Sequence, residues 1–250
     1  MGRTDSSRRE ASLAAVNGER RRCPGARIGI LVVALLGTQT FAGETMESPA
    51  PRRAVFPSLE VEVSERPVPG FRAPEVSART VVDAPAALVY RAAGDYDAFA
   101  RFVPNVRSSR VVRQAGSIRW VHQVLRLPWP FSDREYVIRV RHHTPDGARR
   151  GYRIEWKIDP VATAELAGHG TVVPRVFDGR WAIRAVGSGP RTDATYTALL
   201  DPAGSLPGWL IRYASRRMLP EVVAAVAKRA RFLASGRAER RENNEPDAGR

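Results

Sequence analysis

Leu59, Val61 and Val63 alternate with Glu60, Glu62 and Ser64, which is the period of a strand with one buried face. A second short strand is expected over 78–82. Asp83 then opens a short helix over 84–93, with Pro85 allowed in its first turn and Leu88, Val89 and Ala92 turned inward. Another short helix over 96–102 stops at Pro104-Asn105. Beyond it the chain reads as a succession of strands, over 106–114, 118–127, 136–142, 152–158, 171–177, 179–186 and 192–200. Turns are expected at Ala115-Gly116, at Pro145-Asp146-Gly147 and near Asp178-Gly179. The cleanest alternation sets Tyr152, Ile154, Trp156 and Ile158 against Arg153, Glu155 and Lys157. Residues 206–234 change period. Trp209, Leu210, Tyr213, Leu219, Val222, Val223, Val226 and Ala230 form one broad helical stripe, with Pro220 expected to kink it.

This order predicts an α+β chain. A sequential antiparallel run must bury one face, and the simplest cover is the long C-terminal helix. The expected architecture is a helix-grip fold. In it a curved antiparallel sheet wraps around the C-terminal helix, with two short helices after the first strands and a space left between the layers.

The two ends read differently. Arg20, Arg21, Arg22 and Arg27 precede an apolar run from Ile28 to Leu36, followed by Thr40-Phe41-Ala42. A basic region, a short apolar core and small residues at the cleavage positions predict a signal peptide over 1–42 and a secreted or periplasmic protein. The alternative is a membrane anchor through residues 28–42. Residues 43–57 read as a flexible linker, 58–234 as one domain, and 235–250 as a disordered charged tail.

Composition narrows the function. The formal charge is +14, but it is almost all arginine, with lysine only at Lys157 and Lys228. The arginines are scattered and do not gather beside stacking aromatics, so nucleic acid is not an expected partner. Weak attraction to anionic membrane surfaces is easier to support. Cys23, the single cysteine, lies in the expected signal peptide, so neither a disulfide framework nor a cysteine metal site is expected.

Catalytic signals are weak. His122, His142, His143 and His169 show no metal-ligand spacing, and there is no Gly-x-Ser-x-Gly elbow or phosphate-binding loop. No catalytic residue, metal or cofactor is predicted. His122, alternating with Trp120 and Val124, is placed in the interior space. Arg134 shares a face with Tyr136 and Ile138, so its charge either reaches the cavity mouth or pairs locally to hold a proline corner. Trp120, Tyr136, Trp156, Trp181 and Tyr196 lie on expected strands, and Trp209 and Tyr213 on the closing helix. Large rings with polar tips suit a pocket for a hydrophobic molecule. The candidate cavity set is Trp120, His122, Arg134, Tyr136, Ile138, Trp156, Trp181, Tyr196, Trp209 and Tyr213.

Several motifs resemble a known family. The proline corner Leu127-Pro128-Trp129-Pro130-Phe131-Ser132-Asp133-Arg134-Glu135-Tyr136, the run Phe177-Asp178-Gly179-Arg180-Trp181 and the segment from Asp201-Pro202 to Trp209 are similar to START lipid-transfer domains. Val81-Val82-Asp83-Ala84-Pro85, Asp95-Tyr96-Asp97-Ala98-Phe99 and Phe102-Val103-Pro104-Asn105-Val106 resemble the wider group that also holds polyketide cyclases and coenzyme Q-binding proteins. Ala203 stands where many relatives have glycine. The resemblance spans about Leu59 to Leu233. It implies a helix-grip fold that binds or transfers a lipid, sterol, acyl chain or quinone; the alternative is a cyclase or aromatase using the same cavity. The implied partners are a hydrophobic small molecule and, transiently, an anionic membrane surface.

Overall fold

A computed structural model of the chain describes residues 50–56, 59–145, 151–168 and 170–236. The expected signal peptide, the start of the linker, the turn after Pro145, His169 and nearly all of the C-terminal tail lie outside the described residues. Nine strands form one sheet: β1 (Arg52–Phe56), β2 (Leu59–Arg66), β3 (Glu75–Val82), β4 (Val106–Ala115), β5 (Ile118–Leu125), β6 (Arg134–His143), β7 (Tyr152–Ile158), β8 (Val176–Val186) and β9 (Arg191–Asp201). Their order is β1-β2-β3-β9-β8-β7-β6-β5-β4, and every pairing is antiparallel. Helix α1 (Ala86–Ala93) and a 3₁₀ turn leading into α2 (Phe99–Phe102) separate β3 from β4. Helix α3 (Pro160–Leu166) follows β7. After β9 come α4 (Gly208–Tyr213), a π turn (Ala214–Met218) and α5 (Leu219–Ala234).

The apolar stripe of α5 explains the closure. Val223, Val226, Ala227 and Ala230 are buried in the same core as Val61 and Val63 of β2, Val76 and Ala78 of β3, and Val89 and Ala92 of α1. Arg229 adds a 3.0 Å ion pair to Asp95, tying α5 to the segment between α1 and α2. The molecule is a helix-grip fold, with a curved sheet closed over one face by its C-terminal helix.

Four local readings of the sequence are corrected. Arg52–Phe56, expected within the linker, is edge strand β1, because Ala54 and Phe56 alternate onto the core and Arg52 pairs with Glu65 on β2. No turn interrupts the chain at Asp178-Gly179. Strand β8 runs through it, Gly179 paired with Trp156 and Ala198, while Val172 makes only an isolated bridge to Arg134. Helix α3 was not anticipated, although its signal is present: Asp159 accepts the Ala162 N–H at 3.1 Å and Pro160 occupies the first turn. The single kinked helix is instead three pieces. Pro220 has no N–H to give, so it sits in the first turn of α5, where none is needed, and the π turn precedes it.

Candidate ligand cavity

Period-two alternation puts the inward residues of five neighbouring strands on one concave wall. Strand β5 supplies Gln123 and Leu125, β6 Tyr136, Ile138 and Val140, β7 Ile154 and Trp156, β8 Phe177 and Trp181, and β9 Tyr196 and Leu200. Ala93, Tyr96 and Phe99 close one end, and Met218, Leu219, Val222 and Val226 form the roof. They enclose about 110 Å³. That is below the roughly 300–1,000 Å³ of a usual small-molecule pocket. A second apolar space of about 40 Å³, beside Arg134, Leu206 and Leu210, shares Leu125, Leu200, Met218 and Leu219 with the first. These four side chains are the partition, and two of them stand where the π turn meets α5. Pro104 and Asn105, both exposed, form part of the rim.

The wall is aromatic and carries no formal charge. Among the described residues no Asp, Glu, Lys, Arg or His lines the larger cavity. Trp156 stacks on Tyr196 with ring centroids 5.2 Å apart, Trp181 meets Tyr196 edge-on at 4.9 Å, and Tyr136 meets Phe177 at 5.3 Å. Gly179 makes the first stack possible, since a Cβ there would lie 2.3 Å from Trp156 Cζ2. The Tyr136 hydroxyl donates to Gln123 Oε1 at 3.2 Å, and Gln123 Nε2 donates to Ser109 Oγ at 3.1 Å. Burial drives the phenols of Tyr96, Tyr136 and Tyr196 above their ordinary range, so at neutral pH they are donors and not bases. Trp156 Nε1 is the one buried side-chain polar atom among the described residues without a hydrogen-bond partner.

One end of the cavity adjoins a titratable cluster. The hydroxyls of Tyr90 and Tyr96 lie 3.0 Å from His142 Nδ1 and Nε2 respectively. Burial, with help from the charges of Arg119 and His143, pushes the His142 imidazole down to about 4. It is therefore neutral at physiological pH. One ring nitrogen donates to one tyrosine and the other accepts from its counterpart.

Residues 82–227 match the family described as polyketide cyclase / dehydrase and lipid transport. The chain belongs to that family. Among solved structures, the cyclase and lipid-transport fold seen here is similar to a STAR-related lipid transfer protein fragment from Xanthomonas axonopodis. That likeness has 21% identity and a TM-score of 0.62, over 72% of this chain and 98% of that one. It is also similar to human StAR-related lipid transfer protein 5, at 14% identity and a TM-score of 0.59, over 73% of this chain and 87% of that one. These likenesses establish the fold. An uncharacterised protein of Pseudomonas aeruginosa is 32% identical over 102 residues, which are 40% of this chain and 48% of that protein. The chain thus spans about half the length of the curated relative it matches.

Within this family fold, the ten residues singled out from the sequence separate into two groups. Tyr136, Ile138, Trp156, Trp181 and Tyr196 line the cavity. Trp120 and His122 are on the opposite face of β5, because Val121, Gln123 and Leu125 are the inward set. Trp120 Nε1 donates to Asp159 Oδ2 at 2.8 Å, and the Arg113 guanidinium covers its ring at 3.7 Å. His122 Nε2 meets Glu135 Oε1 at 2.7 Å. Arg134 is neither free at the cavity mouth nor part of a carboxylate pair. It donates to the carbonyls of Ser132, Pro202 and Ala203 at 2.6, 2.6 and 3.2 Å, joining the proline corner to the turn before α4. Ala203 adopts φ 55°, a left-handed conformation suited to glycine, and Gly204 follows at 71°. Trp209 and Tyr213 face outward, 54% and 42% exposed.

Gln123, Phe177, Tyr96, Phe99, Met218 and Leu219 were not foreseen as cavity residues. For Gln123 the signal was ambiguous, since Trp120/His122/Val124 and Val121/Gln123/Leu125 both mix apolar with polar. No group of three or more His, Cys, Asp or Glu among the described residues is placed to hold a metal.

Proposed function

We propose that this protein binds a hydrophobic molecule between its sheet and its C-terminal helix and carries it through water. The observation that carries this reading is the uncharged aromatic cavity under α5, within a family that includes lipid transport. Extraction of purified protein followed by mass spectrometry tests it. A co-purifying lipid, sterol or quinone supports the reading; an empty interior that also fails to take up any apolar probe ends it.

The cyclase or aromatase reading draws on the Tyr96–His142 contact, a cavity-lining phenol backed by an imidazole. Dehydration and ring closure need a base as well as an acid. Phenols raised above their usual range supply only the acid, and the His142 imidazole, a weak base at about 4, has both ring nitrogens engaged by Tyr90 and Tyr96, so binding is the better-supported reading.

Exchange with a membrane would use the outer surface around α4. Trp129 in the proline corner is 91% exposed, Phe131 packs on Trp209 at 6.3 Å, and Arg216 and Arg217 are exposed in the π turn that follows α4, Arg217 also 3.3 Å from Glu221. Rings that enter an interface beside cations that meet anionic head groups form a docking surface. Replacing Arg216 and Arg217 by Gln should slow transfer from anionic vesicles but not from neutral ones; equal rates from both would remove this contact.

No helix among the described residues is long and apolar enough to cross a membrane. Removal of residues 1–42 on export is proposed from the sequence pattern, and N-terminal sequencing that found Ile28–Leu36 retained would favour the anchor.

A further inference from the structure

The polar groups on the cavity wall define what kind of molecule fits. Trp156 is 8% exposed and Tyr196 6% exposed, and their rings are stacked. Trp156 Nε1–H has no acceptor, and burial raises the Tyr196 phenol stacked on it, which therefore keeps its proton and can donate. One buried donor of this stack is thus left incomplete by the chain itself. Leaving a buried donor unpaired is costly, and buried polar groups in folded proteins nearly always find partners.

Charge excludes other ligand classes. A carboxylate or phosphate drawn into this space would meet no cation among the described residues of its walls, and burying an unpaired ion costs far more than burying a neutral oxygen. Among the described residues the one buried Lys or Arg is Arg134, in the adjoining space, and all three of its nitrogens already donate to backbone carbonyls. We infer that the ligand is uncharged and carries an acceptor oxygen, a carbonyl or hydroxyl, that receives the Trp156 N–H and the Tyr196 O–H while its remaining surface lies against the apolar wall. This inference rests on the proposal that the cavity binds a hydrophobic molecule, and it adds the chemistry of the ligand's polar end.

Three probes of similar size separate the possibilities: 2-acetylnaphthalene, 2-ethylnaphthalene and 2-naphthoate, titrated against the full chain at neutral pH by tryptophan fluorescence. The expected order of affinity is ketone, hydrocarbon, carboxylate, with the ketone ahead of the hydrocarbon by about tenfold, the worth of one good buried hydrogen bond. Tyr196→Phe and Trp156→Phe, each checked for folding by circular dichroism, should each shrink the ketone-to-hydrocarbon ratio. The inference is overturned if naphthoate binds as well as the ketone, or if the ratio is unchanged in both variants, and in either case the cavity still binds hydrophobic molecules. Should none of the three bind, the hydrophobic-cavity reading fails and this inference with it.

Discussion

Trp120 and Trp156 are both strand tryptophans, and their sequence surroundings give no reason to treat them differently. The two faces of the sheet do. On the convex face, Trp120 donates to Asp159, His122 meets Glu135, and Glu135 also accepts from Thr171 Oγ1 at 2.8 Å and the Gly168 N–H at 2.9 Å. The N-cap of α3 and the loop after it supply Asp159, Gly168 and Thr171, and β6 supplies Glu135, so the polar groups there are completed by the chain. On the concave face, Trp156 keeps an unpaired N–H and stacks on Tyr196, whose phenol burial keeps protonated. The same residue type is structural where the fold finishes its hydrogen bonds and a candidate for ligand contact where it does not.

Adding a methyl group to the concave floor should produce the largest effect. In Gly179→Ala the new Cβ would meet Trp156 Cζ2 at 2.3 Å and the Thr197 carbonyl oxygen at 2.5 Å. The backbone atom cannot swing away, so the strand or the ring stack must shift. A loss of about 3 kcal/mol is expected, near the upper end for overpacking. For a domain of this size that lowers the melting temperature by roughly 6–12 °C. Circular dichroism melting checks it; an unchanged midpoint would mean that Trp156 is loosely held and that the concave wall is not a packed surface.

Breaking the convex network should cost somewhat less. Burial opposes ionisation of Glu135, but the Gly168 N–H, the Thr171 hydroxyl and His122 together outweigh it and hold the carboxyl below its usual range. The resulting stability is present above the unfolded carboxylate value and is lost as pH falls through the folded one. Glu135→Ala takes the acceptor from His122 and the Gly168 N–H, while the Thr171 hydroxyl can still donate to the Gly168 carbonyl at 2.9 Å, and should cost about 2 kcal/mol at neutral pH, read from denaturant midpoints. The variant should still bind apolar probes. If it lost probe binding while remaining folded, the division between a structural and a ligand-binding face would be wrong.

Legibility in the sequence runs along the same division. Alternation marks the strands, and the stripe of Val223, Val226 and Ala230 marks the closing helix, because burial on one face leaves a period in the chain. Which face of β5 turns inward was not legible, since both of its series mix apolar with polar residues and only the pairing of Gln123 with Tyr136 decides. Trp209 is outward because its neighbour Leu210 takes the inward side of α4, and the π turn between α4 and α5 interrupts the single stripe that the sequence suggested. Asp178-Gly179 reads as a turn because glycine commonly marks one. Here its missing side chain makes room for an indole, a demand that appears only when β7 lies beside β8.

His142 sharpens the comparison with the smallest expected effect, because it lies at the end of the inward face of β6 and yet is fully matched, by Tyr90 and Tyr96. Its imidazole is held at about 4 in the folded chain, chiefly by burial. An unfolded histidine takes up its proton near 6.5. Between those values unfolding binds a proton, so the stability this site contributes is complete above about 6.5 and declines as pH falls toward 4. Discounted for the partial exposure of the ring, the loss between pH 7 and pH 5 is about 1 kcal/mol. His142→Gln keeps a donor and an acceptor for the two phenols and removes the titration. Chemical denaturation at several pH values above 5, where Glu135 stays ionised in both states, should give a flatter profile for the variant than for the parent. Parallel profiles would show that burial at this end of the sheet does not hold the imidazole neutral, and the matched end of the concave face would then be no different from its unmatched centre.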